Sequence, residues 1–139
     1  WIYKSLLDNQ QLNMFDDIDF SPILVNDLAN VIDLSIQNNL SGVFHACATG
    51  CISKYDFGCK LKKIFGIPKG KIEKTQSDFF EFKAKRSKHM GMCNRKISEK
   101  LAISLSTPEE SIQNFFELYV SDYANNLKKW GKIEDENRE

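Results

Sequence analysis

Apolar residues recur along this chain with two different periods, and those periods place most of its elements. In the stretch DLANVIDLSIQ, Leu28, Val31, Ile32 and Ile36 fall at steps of three and four, which predicts a helix with one buried face. Asn26 is its expected N-cap, with Asp27 in the first turn. Asn38 to Gly42 reads as a turn, and Val43, Phe44, His45 and Ala46 form the short apolar run of an interior strand ending at Thr49 and Gly50. Ser53 then caps a second helix, with Asp56 three residues on and Phe57, Leu61, Ile64 and Phe65 on one face. Gly66 and Pro68 stop it.

Beyond this point the pattern is mixed. Ile72 is the expected start of a strand, and Asp78 to Phe82 reads as a helical turn or an extended edge. Asn94 to Ile103 predicts a short helix carrying Ile97 and Leu101. Ser106, Thr107 and Pro108 announce the clearest helix, on which Ile112, Phe115, Phe116, Tyr119, Tyr123, Leu127 and Trp130 recur until Gly131. The predicted class is α/β, a small mixed helix and strand domain over 1–130 followed by a charged, frayed tail over 131–139. These elements supply too few strands for a large sheet, so the domain is expected to lean on a neighbour or on a dimer contact that covers its apolar surface.

Composition narrows the setting. The chain has 139 residues, of which 42% are hydrophobic, enough for one core. It starts at Trp1, which suggests a sequence cut from a longer one. No apolar run approaches the about 18 residues of a membrane span. Cys47, Cys51, Cys59 and Cys93 are too few and too irregularly spaced for a disulfide scaffold, and reduced thiols in a cytoplasmic protein are the expectation. Net charge is zero but unevenly placed: Asp8, Asp16, Asp17, Asp19, Asp27 and Asp33 dominate the start, and Lys83, Lys85, Arg86, Lys88, Arg95, Lys96 and Lys100 come later. That later cluster is either a solvated face or an anion site. Nucleic acid is an unsuitable partner, because Phe79, Phe80 and Phe82 precede the cations instead of alternating with them.

Three ordered blocks are more specific than any of this. DDIDFSPILVNDLANVI, then GVFHACATGCISKYDFGCKLKKIFGI, then FKAKRSKHMGMCNRKISEKLAI together resemble the C-terminal half of the dTDP-4-dehydrorhamnose reductase family, extended short-chain dehydrogenases, over roughly residues 5–120. The family's blocks are an acidic loop ending in a Ser-Pro or Pro-Thr pair, a glycine-led strand with His before a Ser-capped helix, and an Ala-x-Arg-Pro segment, where this chain has Ser87 in place of Pro. The resemblance implies that Phe20, Ser21, Pro22, Arg86 and Lys88 face a sugar-nucleotide cleft, with the cations near the phosphates. A guanidinium fork and neighbouring ammonium groups suit a diphosphate.

The resemblance also implies an NAD(P)H-dependent parent that reduces a 4-keto deoxysugar nucleotide, with a Rossmann domain preceding the part seen here. The chain itself has no glycine-rich dinucleotide turn. The family's Tyr followed four residues later by Lys is absent too: Tyr3, Tyr55, Tyr119 and Tyr123 are followed at that distance by Leu7, Cys59, Tyr123 and Leu127. No catalytic or cofactor-binding residue is therefore assigned, and the chain alone is expected to be inactive. A non-catalytic regulatory or scaffold relative is the alternative. His45, Cys47, Cys51, His89 and Cys93 do not match a common zinc module, and buried core cysteines explain them better. Ser53 is read as a helix cap, not a nucleophile.

Overall fold

Alternation along the first fifteen residues builds one wall of the core. Helix α1 (Ile2–Leu7) turns Ser5 and Leu6 inward, and strand β1 (Gln11–Phe15) alternates so that Leu12 and Met14 are buried while Gln11 and Asn13 are exposed. In the computed structural model, which describes residues 1–84 and 86–136 (side chains only to 129), β1 pairs in parallel with β4 (Lys71–Thr75), in register from Gln11 with Lys71 to Phe15 with Thr75. A parallel pair needs a long crossover. It is supplied by α2 (Val25–Gln37) and α3 (Lys54–Ile64), with β2 (Asp19–Phe20) before them and β3 (Ile52–Ser53) between them.

Helix α3 lies across both strands of the parallel pair, and the core is Leu6, Leu12, Met14, Leu61, Ile67 and Ile112, edged by Phe57, Ile64 and Phe65. The predicted inner face of α3 is thus the observed one. Its cap is as expected: Ser53 Oγ accepts the Asp56 N–H at 3.0 Å and donates to Asp56 Oδ2 at 2.7 Å. The return to β4 passes Gly70, whose φ of +71° suits glycine. A side chain there would also meet the Leu6 backbone at 2.9 Å.

A second small sheet places β2 between β3, antiparallel, and β5 (His89–Met90), parallel. Helix α4 (Arg95–Leu101) follows, then α5 (Pro108–Val120) and α6 (Tyr123–Glu136). The predicted strand at Ile72 and the short helix after Asn94 are present, and of the turn or extended edge expected over Asp78 to Phe82 a 3-10 turn at Ser77–Phe79 covers the first two residues, with no regular element over 80–82.

Four expectations change. The last helix is two helices: Asp122 takes φ +57°, its carboxylate accepts from Asn125 Nδ2 at 2.6 Å, and the Ser121 hydroxyl bonds Leu118 O at 3.1 Å, so two short polar side chains compete with the helical ladder there. The second of these helices runs through Gly131 to Glu136, and of the expected tail 137–139 lies outside the described residues. Helix α2 starts at Val25 with Leu24 as its cap, two residues before the expected cap Asn26, and buries Val31 only, leaving Ile32 53% and Ile36 70% exposed. Finally, Val43 to Ala46 pairs with no strand among the described residues, and His45 is exposed. A strand needs a neighbour for its backbone, and none reaches this segment.

Candidate functional site

Strand pairing brings together two segments far apart in sequence. Asp19 stands beside His89 and Phe20 beside Met90. The Asp19 N–H donates to Lys88 O at 2.8 Å, and the Met92 N–H donates to Ser21 Oγ at 3.2 Å. Phe20 to Pro22 and Arg86 to Lys88 therefore line adjacent paths of backbone.

Next to that junction opens a cleft of about 750 Å³, walled by Asp78, Phe80, Phe82, Arg86 and Lys88. Phe80 and Phe82 stack at 6.2 Å between centroids and 26° between planes, and Phe15 meets Phe80 edge-on at 5.2 Å. The Arg86 guanidinium carbon sits 4.7 Å above the Phe82 ring centroid. Stacking on an aromatic face orients a guanidinium while its N–H groups stay at the rim.

The other cation is tied down. Lys88 Nζ is 2.7 Å from Asp78 Oδ2 and 3.1 Å from Asp17 Oδ2. Asp17 in turn accepts the Ser77 backbone N–H at 3.0 and 3.1 Å and the Ser77 hydroxyl at 2.7 Å. Partial burial opposes the charge of Asp17, but the two Ser77 hydrogen bonds and Lys88 outweigh it and hold the carboxyl down at about 2. Hydrogen bonds to Asp78 and then Asp17 push the Lys88 ammonium above its ordinary range. The arrangement can bind an anion and present a flat aromatic surface.

The model of the RmlD substrate binding domain matches residues 2–121. The chain belongs to that family. Its fold is shared with solved structures of dTDP-4-dehydrorhamnose reductases: one from Bacillus anthracis, in complex with NADP, aligns with a TM-score of 0.75 at 22% identity over 83% of this chain and 41% of the other. One from Clostridium acetobutylicum aligns with a TM-score of 0.75 at 24% identity over 85% of this chain and 42% of the other. A dTDP-glucose 4,6-dehydratase from Bacillus anthracis aligns more loosely, with a TM-score of 0.65 at 14% identity over 86% of this chain and 38% of the other. The substrate binding domain thus spans about two fifths of the length of those structures. No curated protein matches the chain significantly in sequence.

Within the substrate binding domain, the five residues singled out from sequence occupy different positions. Arg86 is exposed on the cleft and Lys88 is half-buried in its wall. Phe20 packs against Phe57 at 5.5 Å with Lys54 Nζ 4.8 Å above its ring, and Ser21 is buried with its hydroxyl engaged by Met92. Pro22 is half-buried after them. Sequence reasoning missed Asp17, Ser77 and Asp78, which organise Lys88, and it weighed Phe80 and Phe82 only against nucleic acid. The available signal was the pairing of an acidic run at 16–19 with a later basic run. That basic run is not one patch: Lys96 bonds Val43 O at 2.9 Å over the Phe44 ring, and Lys85 lies outside the described residues.

The histidine and cysteine positions are dispersed in role. Cys47 is buried, its thiol 3.5 Å from Met92 O and its pKa pushed up by burial, while Cys51, Cys93 and His45 are exposed. His89 Nδ1 is 3.4 Å from Asp19 Oδ2. Among the described residues no three His, Cys, Asp or Glu are placed to hold a metal ion, and no helix is long and apolar enough to cross a membrane.

Proposed function

We propose that this chain is the substrate-binding part of a nucleotide-sugar reductase, taking a nucleoside-diphosphate sugar in the cleft bounded by Phe80, Phe82, Arg86 and Lys88. The observation that carries the proposal is the pairing, in one cleft, of stacked aromatic faces with an exposed guanidinium and a lysine. Aromatic faces accept a base and a guanidinium fork accepts a diphosphate. Phe20, at the end of β2, and Ser21 and Pro22 after it run beside the β5 segment that follows Lys88, and this reading assigns them to the sugar end.

The parent reaction under this proposal is reduction of a 4-keto group on a deoxysugar nucleotide by NADH or NADPH. The residues present do not fit the cofactor. Among the described residues, β1 runs into Asp16 and Asp17, β4 into Gln76 and Ser77, β2 into Ser21 and Pro22, and β5 into the single glycine Gly91 ahead of the short helix α4, so no parallel strand leads into a glycine-rich turn that could approach a pyrophosphate. The cofactor and the hydride chemistry are therefore assigned to a Rossmann part joined to this one. Support comes from the short share of the solved relatives that the chain spans and from the uncovered faces of α2 and Val43 to Ala46.

Backbone NMR titration tests the proposal. With dTDP, amides near Ser21 and Arg86 are expected to shift, Arg86→Ala is expected to abolish the response, and NADPH and inorganic phosphate are expected to produce none. A folded sample that ignores dTDP refutes the placement of the nucleotide in this cleft.

A further inference from the structure

Lys88 stands between two carboxylates that are held with unequal firmness. Asp17 is 17% exposed and both its oxygens are engaged by Ser77, whereas Asp78 is 70% exposed and, among the described residues, has Lys88 as its ion-pair partner. The ammonium lies nearer the loosely held carboxylate, 2.7 Å against 3.1 Å. Lys88 is itself 40% exposed and sits at the cleft that holds Arg86. A cation that a phosphate would use is thus already occupied, and the occupant is a surface carboxylate.

We propose that Asp78 is a gate on Lys88: it holds the ammonium in the absence of an anion and yields it to the phosphate of an entering nucleoside diphosphate, while Asp17 keeps the lysine in place throughout. The inference rests on reading the cleft as a sugar-nucleotide site. Exchange is feasible because an exposed ion pair is worth a factor of about five at most in affinity. A phosphate brings more charge and more acceptor oxygens than the carboxylate it displaces. Asp17 stays as the lysine's fixed partner, because the Ser77 amide and hydroxyl hold its carboxylate in position. A ligand without phosphate gains nothing from opening the gate, so Asp78 weakens the binding of phosphorylated nucleosides and leaves that of unphosphorylated ones unchanged.

Calorimetric titration with inorganic pyrophosphate, dTDP and thymidine separates the possibilities, using the wild type, Asp78→Asn, Lys88→Met and the double variant. Asp78→Asn is expected to tighten both anions by about threefold to fivefold and to leave thymidine unchanged, and the gain is expected to vanish when Lys88 is replaced. Glu81→Gln neutralises an exposed carboxylate on the same cleft and controls for general charge, with a smaller gain expected under screening. An equal gain from Glu81→Gln, a gain that survives Lys88→Met, or no pyrophosphate binding by any variant overturns the gate. Pyrophosphate following the expected pattern while dTDP binds no tighter than pyrophosphate keeps the gate and removes the nucleotide reading. Tight dTDP binding indifferent to Asp78 does the reverse.

Discussion

At the scale of single residues, the most consequential side chain is one that sequence reasoning passed over. Asp17 belongs to an acidic run, and nothing in its neighbours distinguishes it from Asp16 or Asp19. Its role comes from Ser77, 60 positions away, which supplies two donors to one carboxylate. Its folded pKa, about 2, lies below its ordinary 3.8, so folding favours the ionised form. The stability it contributes is complete above about pH 4 and is lost as pH falls toward 2. In thermal melts across that window the wild type is expected to lose stability that Asp17→Asn already lacks, so the gap between the two proteins narrows as pH drops. Parallel pH profiles would assign the Ser77 contacts no such role. Arg86, by contrast, was legible only through the resemblance; a lysine-rich run by itself does not tell which cation reaches a cleft.

At the scale of elements, helices announce themselves where capping and spacing agree. The Thr107 side chain accepts the Glu110 N–H at 3.3 Å, Glu110 accepts the Thr107 N–H at 2.7 Å, and Pro108 fills the first turn, as the Ser-Thr-Pro sequence led one to expect. Because α5 carries Ile112 into the core, loss of the cap is felt globally. Thr107→Ala is expected to lower the unfolding free energy by about 1 kcal/mol in urea titrations, with an unchanged slope. An effect under a few tenths would mean that packing alone fixes this helix start. What spacing could not show is the break at Asp122, since the aromatic stripe continues across it in period while two polar residues redirect the backbone. Nor did it find α1 and β1, whose apolar positions are too few to separate from a loop until β4 pairs with them.

At the scale of the whole molecule, one region is built for company it lacks within the described residues. Val43 to Cys47 alternates exposed and covered positions as a strand does, yet its amides donate to no acceptor there, and only the outer carbonyls are engaged, Val43 O by Lys96 and Cys47 O by Asn94. Ile32 and Ile36 of α2 stand uncovered beside it, forming one trough with Ala46 and Ile97. The expected interior strand is thus missing both its pairing and its cover: Val43 is 79% exposed, His45 is exposed, and Phe44 and Ala46 are half-buried. Backbone groups without partners exchange their protons quickly, whatever the stability of the rest. Hydrogen exchange is expected to show Phe44, His45 and Ala46 near the rate of an open chain, while Leu12 to Met14, paired with β4 and covered by α3, are protected by the global unfolding free energy. If the proposal of a joined Rossmann part holds, the same three amides become protected in a longer protein that includes it. Protection already present in this chain, and growing with its concentration, would instead mean that two copies pair along this edge.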